Sequence, residues 1–244
     1  MRYLARTCLA VLALGAVPAG AADLRMPTKA PPPVAPVYTW TGCYLGANVG
    51  YGWADKHYFD PLAAVPAEFD LGTHTAEGVV GGGQVGCDYQ TGNWVFGVQG
   101  MFDGADMQKT HLALGDFFTT RIPFFATATA RVGYAFQPNI LFYVKGGGAW
   151  VNDHETKTDL VTGLVEGTAR VTRTGWTVGG GFEYMFWSNW SVFAEFDYMD
   201  FGTHRTILAV PDAPFPLDIQ QTMGVALVGV NYRFNFGGPV LAKY

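Results

Sequence analysis

The stretch Gly224-Val225-Ala226-Leu227-Val228-Gly229-Val230-Asn231-Tyr232-Arg233-Phe234-Asn235-Phe236 decides the fold. Its even-numbered residues from Ala226 to Phe236 are all apolar or aromatic. Its odd-numbered residues from Gly229 onward are glycine, asparagine or arginine. A strand sends successive side chains to opposite faces. One face here suits hydrocarbon and ends in aromatic rings, and the other suits water. A lipid-facing strand of a transmembrane β-barrel carries this pattern, which is weak evidence in one segment and strong when it recurs about eight times, as it does along this chain.

Working outward, the same alternation marks strands at residues 42–54, 76–89, 94–105, 120–136, 140–151, 172–186 and 190–202. Leu45, Val49, Val85, Phe96, Tyr134, Phe142, Val178 and Phe196 are among the residues it turns outward. Short links at 90–93, 137–139 and 187–189 are made of turn residues. Long links fall at about 55–75, 107–119, 153–171 and 203–220. Short turns at one end and long loops at the other are the outer-membrane arrangement, turns periplasmic and loops outside. The expectation is an all-β chain: an eight-stranded antiparallel transmembrane β-barrel of up-and-down topology over residues 39–236, with a tail at 237–244. Closure removes the backbone edges that hydrocarbon does not tolerate. A soluble lipocalin-like barrel is the alternative, and it would carry its apolar face inward.

The N-terminus supplies an address. Arg2 and Arg6 precede a short apolar run from Leu9 to Val17, and small residues follow up to Ala22. This is a secretory signal peptide over residues 1–22, since the run is too short to span a bilayer. Residues 23–38 hold five prolines and read as a semi-rigid periplasmic linker, a spacer or a peptidoglycan contact. Cleavage removes two of the 15 Lys+Arg and none of the 20 Asp+Glu, so the mature charge is 13 − 20 = −7. That balance excludes a nucleic-acid partner that depends on a basic patch. Cys43 and Cys87 remain on the outward face of neighbouring strands. An oxidising compartment lets them form a cross-strand disulfide, or they sit as two small apolar side chains.

The inward positions carry the functional signal. Asp88, Asp103, Arg131, Lys145, Glu183, Glu195, Asp197 and Arg233 all point into the barrel, with Gln84, Gln99, Tyr143 and Asn231 among them. An eight-stranded barrel is only about wide enough for its own side chains, so these charges should pair. Two readings stay open: a structural plug, or the lining of a narrow water path.

Other motifs point to little chemistry. Gly81-Gly82-Gly83-Gln84-Val85-Gly86 fits a phosphate-binding spacing but lies within a strand, with no helix to follow. The two serines, Ser188 and Ser191, sit at a turn far from every histidine, and no nucleophile-elbow or zincin motif occurs, so an enzyme is not expected. His57, His74, His111, His154 and His204 all fall in or beside the expected outer loops. Histidine can ligate haem iron, so they are the candidates for haem capture, although loop histidines are commonly just solvated.

Three segments resemble one family. They are Val37-Tyr38-Thr39-Trp40-Thr41-Gly42-Cys43-Tyr44-Leu45-Gly46-Ala47-Asn48-Val49-Gly50-Tyr51-Gly52-Trp53, then Val144-Lys145-Gly146-Gly147-Gly148-Ala149-Trp150, and Gly229-Val230-Asn231-Tyr232-Arg233-Phe234. Together they resemble the small outer membrane immunogenic proteins of alpha-proteobacteria, an opacity-protein-like, OmpA-type barrel family. The resemblance implies an outer-membrane protein that supports envelope integrity and contacts the host surface. It further implies haemin binding or a porin label in some relatives, and a closing strand whose Gly229, Tyr232 and Phe234 are read by the barrel assembly machinery. Cys43 departs from the aromatic residue usual at its position.

Overall fold

The computed structural model describes residues 38–60, 69–113, 116–159, 161, 163, 165–208 and 215–234. The signal peptide, the linker apart from Tyr38, Phe236 and the tail at 237–244 lie outside these residues. The described chain is eight strands: β1 (Gly42–Asp60), β2 (Phe69–Thr91), β3 (Trp94–Ala113), β4 (Asp116–Gln137), β5 (Ile140–Asp159), β6 (Val165–Trp187), β7 (Trp190–Leu208) and β8 (Phe215–Phe234). Each pairs antiparallel with the next, and β8 pairs with β1 to close the ring.

The alternation in sequence is an alternation in space. Along β5, Phe142 and Val144 are 54% and 64% exposed, while Tyr143 and Lys145 between them are 5% and 3% exposed. Leu45, Val85, Val98, Phe182, Val228 and Val230 face outward in the same way on their own strands. The apolar face is therefore on the outside, which the lipocalin-like alternative does not allow. Aromatic pairs mark two levels of this belt. Trp94 meets Tyr134 and Trp190 meets Tyr232 near the short turns, while Phe102 meets Phe124 and Trp176 meets Tyr198 toward the other end. Amphipathic rings prefer the two interfaces of a bilayer.

The turn end is tight. Gly92 takes φ +59°, a conformation that costs glycine nothing, and it closes β2 onto β3 with only Asn93 beside it. The carbonyls of Asn93, Asn139 and Asn189 accept backbone N–H groups from Ala135, Met185 and Arg233, which ties each turn to the strand beyond it.

The opposite end corrects the sequence reading. Most of the residues taken as long loops at 55–75, 107–119, 153–171 and 203–220 are strand, and β3 and β4 are separated by two residues alone. Beyond the aromatic level neither face meets hydrocarbon, so the strict apolar–polar alternation lapses while the ladder of backbone hydrogen bonds continues. The continuation is uneven. β4 and β5 stay paired up to Asp116↔Asp159, and β1 and β8 up to Phe59↔Asp218. Among the described residues, β2 and β3 part above Glu77↔Gln108, and β6 and β7 part above Trp176↔Asp200. Above that level the wall divides into two four-stranded sheets, β3–β6 and β7–β8–β1–β2.

Candidate functional site: the filled barrel interior

Four layers fill the lumen. At the turn end Trp40 lies fully buried across the opening, held by its N–H to Gln90 Oε1 (2.9 Å) and its indole N–H to the Pro138 carbonyl (3.2 Å). Arg233 donates to the Trp40 carbonyl (2.6 Å) and to Asp88 Oδ2 (2.8 Å). Arg131 forks onto the same Asp88 through Nε (2.8 Å) and its second guanidinium nitrogen, and reaches Glu183 at 3.3 Å. Glu183 also accepts from Asn231 (3.0 Å) and from the Ser191 hydroxyl. Both guanidinium groups lie over the Tyr44 ring, at 4.7 and 5.0 Å from its centre. Two cations and two carboxylates thus neutralise one another in a place where an unpaired charge is costly, although Arg233 makes its hydrogen bonds through one guanidinium nitrogen alone.

A second polar layer sits on top of the first. Lys145 bridges Glu195 and Asp197, each at 2.9 Å, and Glu195 also accepts from the Tyr143 hydroxyl at 2.7 Å. Asn48, Gln84 and Asn231 form an amide chain at 3.0 and 2.8 Å across β1, β2 and β8. Inward glycines make room for these groups. A Cβ on Gly97 would overlap an Asp88 carboxylate oxygen, and one on Gly179 would overlap Asp197.

The third layer is apolar. Val80, Met101, Met107, Ile122, Phe125, Val151, Phe193, Met199, Phe201, Met223, Val225 and Leu227 pack as one buried cluster inside the barrel. The fourth is a second ion cluster toward the hairpin end. Asp153 meets Lys56 at 3.2 Å and Arg173 at 2.8 Å, and accepts from Gln221 at 3.4 Å. Because Lys56 and Gln221 belong to one of the two upper sheets and Asp153 and Arg173 to the other, this cluster clamps the sheets at their base.

Seven of the eight sequence-derived lumen charges join these networks: Asp88, Arg131, Lys145, Glu183, Glu195, Asp197 and Arg233. Asp103 does not. It is fully buried, but among the described residues neither of its carboxylate oxygens has a hydrogen-bond partner. The register sets it between Gly82 and Phe125, at the edge of the apolar layer. The apolar layer and the Lys56–Asp153–Arg173 cluster escaped the sequence reading. Carrying the inward parity of Ala54, Val151 and Gly175 two residues further would have reached all three charges.

Cys43 and Cys87 stand directly opposite one another on β1 and β2 and are bonded. The histidines lie on the strand extensions, and the register pairs none with another: His57 faces Thr73 and Gln220, His74 faces Lys56, His111 faces Phe118, His154 faces Arg121 and Arg170, and His204 faces Ile219. The side chains of His74 and His111 lie outside the described set. Among the described residues no group of His, Cys, Asp and Glu is arranged to hold a metal. In the closing strand, Tyr232 and Phe234 face outward and Gly229 inward.

Compared with known proteins, residues 9–234 match the family described as outer membrane protein beta-barrel domain. The chain belongs to this family. It is 33% identical over 236 residues to the 31 kDa outer-membrane immunogenic protein of Brucella melitensis biotype 1, covering 92% of this chain and 97% of that one. It is 28% identical over 208 residues to the 25 kDa outer-membrane immunogenic protein of Brucella abortus biovar 1, covering 85% of each. Among solved structures, the outer membrane protein OprG from Pseudomonas aeruginosa is similar at a TM-score of 0.52 and 13% identity, covering 82% of this chain and 99% of that chain. That likeness concerns the fold alone. The protein is an integral barrel of the outer membrane, and its kinship is with the outer-membrane immunogenic proteins. The apolar belt is thus its lipid-facing wall.

Proposed function

We propose that this barrel is a structural component of the envelope: a closed peg in the outer membrane whose hairpin end faces outward and makes surface contacts. The observation that carries this reading is the continuous filling of the lumen. A water path from end to end would have to pass the Trp40 cap, the balanced Arg131–Arg233–Asp88–Glu183 cluster, an apolar layer built around Phe125, Phe193 and Leu227, and the buried Lys56–Asp153–Arg173 cluster. Each obstacle is costly to remove, because parting a buried pair leaves a bare charge. The narrow-pore and haem-capture readings have no comparable feature in their favour.

The closing strand supports a second part of the reading. Gly229, Tyr232 and Phe234 keep small-inward and aromatic-outward parity up to the turn end, as an insertion signal offered to the barrel assembly machinery requires. Ser191 serves the plug through the hydrogen bond that its hydroxyl donates to Glu183. Ion conductance of the refolded barrel in a planar bilayer tests the proposal. Silence is expected of a folded, inserted protein.

A further inference from the structure

The divided upper wall leaves four strand edges without a partner among the described residues. On β6 the open edge runs from Val165 to Thr172; below it Arg173 belongs to the ion cluster and Gly175 still lies against β7. This is a long edge, rich in Val and Thr, with no proline. Proteins commonly blunt such an edge, because it is a template for another strand.

The tip of this edge reads Val165-Glu166-Gly167-Thr168-Ala169-Arg170-Val171. It is self-complementary when read antiparallel about Thr168. Thr168 falls opposite Thr168 of a second copy, Gly167 opposite Ala169, Glu166 opposite Arg170 and Val165 opposite Val171. Opposite charges directly across an antiparallel pair stabilise it, and like charges destabilise it. A shift of register that set Arg170 against Arg170 would lose both charge pairs, so the sequence selects one register. Thr168 and Arg170 are exposed in the monomer, on the same face of the strand.

We propose that this edge binds the same edge of a second copy of the protein, joining two upper sheets into one. The symmetry has a consequence. Two antiparallel strands whose faces match are related by a two-fold axis perpendicular to the sheet. The barrel axis lies in the plane of that sheet, so the same two-fold reverses it. Two copies in one membrane point the same way and cannot pair in this fashion. Two copies in facing membranes can. The edge is therefore a homotypic contact between neighbouring cells, which rests on the surface-contact half of the function proposed above and names its partner.

The test uses the folded protein in lipid vesicles with the hairpin end outward, and reads vesicle clustering by energy transfer between two labelled populations. Wild-type vesicles cluster. Glu166→Arg and Arg170→Glu each set like charges across the two-fold twice over, and each lowers clustering about tenfold. The double variant E166R/R170E restores it. Vesicles bearing Glu166→Arg mixed with vesicles bearing Arg170→Glu cluster with each other, although neither clusters alone. Folding of every variant is checked by its gel shift on heating. Wild-type vesicles that stay dispersed would overturn the proposal, as would single variants that cluster like wild type or a mixture that does not. A barrel that is silent yet fails to cluster removes this pairing alone, whereas one that conducts removes the structural reading alone.

Discussion

At the scale of single residues, the two classes of ion pair in this molecule should behave differently. Arg131 is enclosed between Asp88 and Glu183 and beneath Tyr44, with its side chain 1% exposed. Replacing it by alanine leaves two carboxylates in a closed lumen with only Arg233 to share. Arg131→Ala should cost about 3–5 kcal/mol in the urea unfolding of the refolded barrel, followed by tryptophan fluorescence. Arg205, which pairs with Asp218 at 2.8 Å on the β7–β8 extension, is 60% exposed, and its alanine variant should unfold at nearly the same urea concentration as wild type, since solvent screens an exposed pair. The Arg205 hydrogen bonds and the charge of the guanidinium hold the Asp218 carboxyl below its ordinary range. Since the folded value lies below the unfolded one, the pair stabilises this hairpin at neutral pH and loses that contribution as the pH falls through the folded value. A carboxyl NMR titration should show Asp218 titrating low, and Arg205→Gln should bring it back to the usual carboxylate range.

At the scale of the elements, membrane physics explains what could be read in the sequence and what could not. Between the two aromatic levels each strand separates hydrocarbon from lumen, and that contrast writes a period of two into β5, β6 and β8 so plainly that their inward charges could be named in advance. Above Trp150 and Trp176 the contrast is gone. Glu155, Thr156 and Lys157 look like a polar loop, although their backbones remain in the β5–β6 ladder. The apolar layer was hidden for a related reason. Met101, Met199 and Leu227 have the hydropathy expected of lipid-facing residues, and only their parity places them inside. Asp103 was assigned to the right face, and register sets it beside the Lys145, Glu195 and Asp197 layer without an ion pair of its own. The Cys43–Cys87 bond fastens β1 to β2 beside the turn end and closes a loop with a sequence separation of 44 residues. The Cys43→Ser/Cys87→Ser variant should lower stability by about 2–4 kcal/mol in the same unfolding assay while leaving the folded gel mobility unchanged.

At the scale of the whole molecule, the barrel is apolar where a soluble protein is polar, and its core is where a pore would be. The ion clusters at the two ends and the apolar layer between them fill the interior that an eight-stranded wall encloses. Among the described residues the wall is continuous over the lipid-facing belt and divided above it. On the proposed function, anchoring and surface contact would belong to different levels of one cylinder. The claim on which the rest depends is that the lumen is closed. Recording the mature protein, refolded and inserted into a planar bilayer, tests it most directly. A folded, inserted barrel should pass no steady current across the accessible voltage range, and steady discrete openings would contradict a closed lumen.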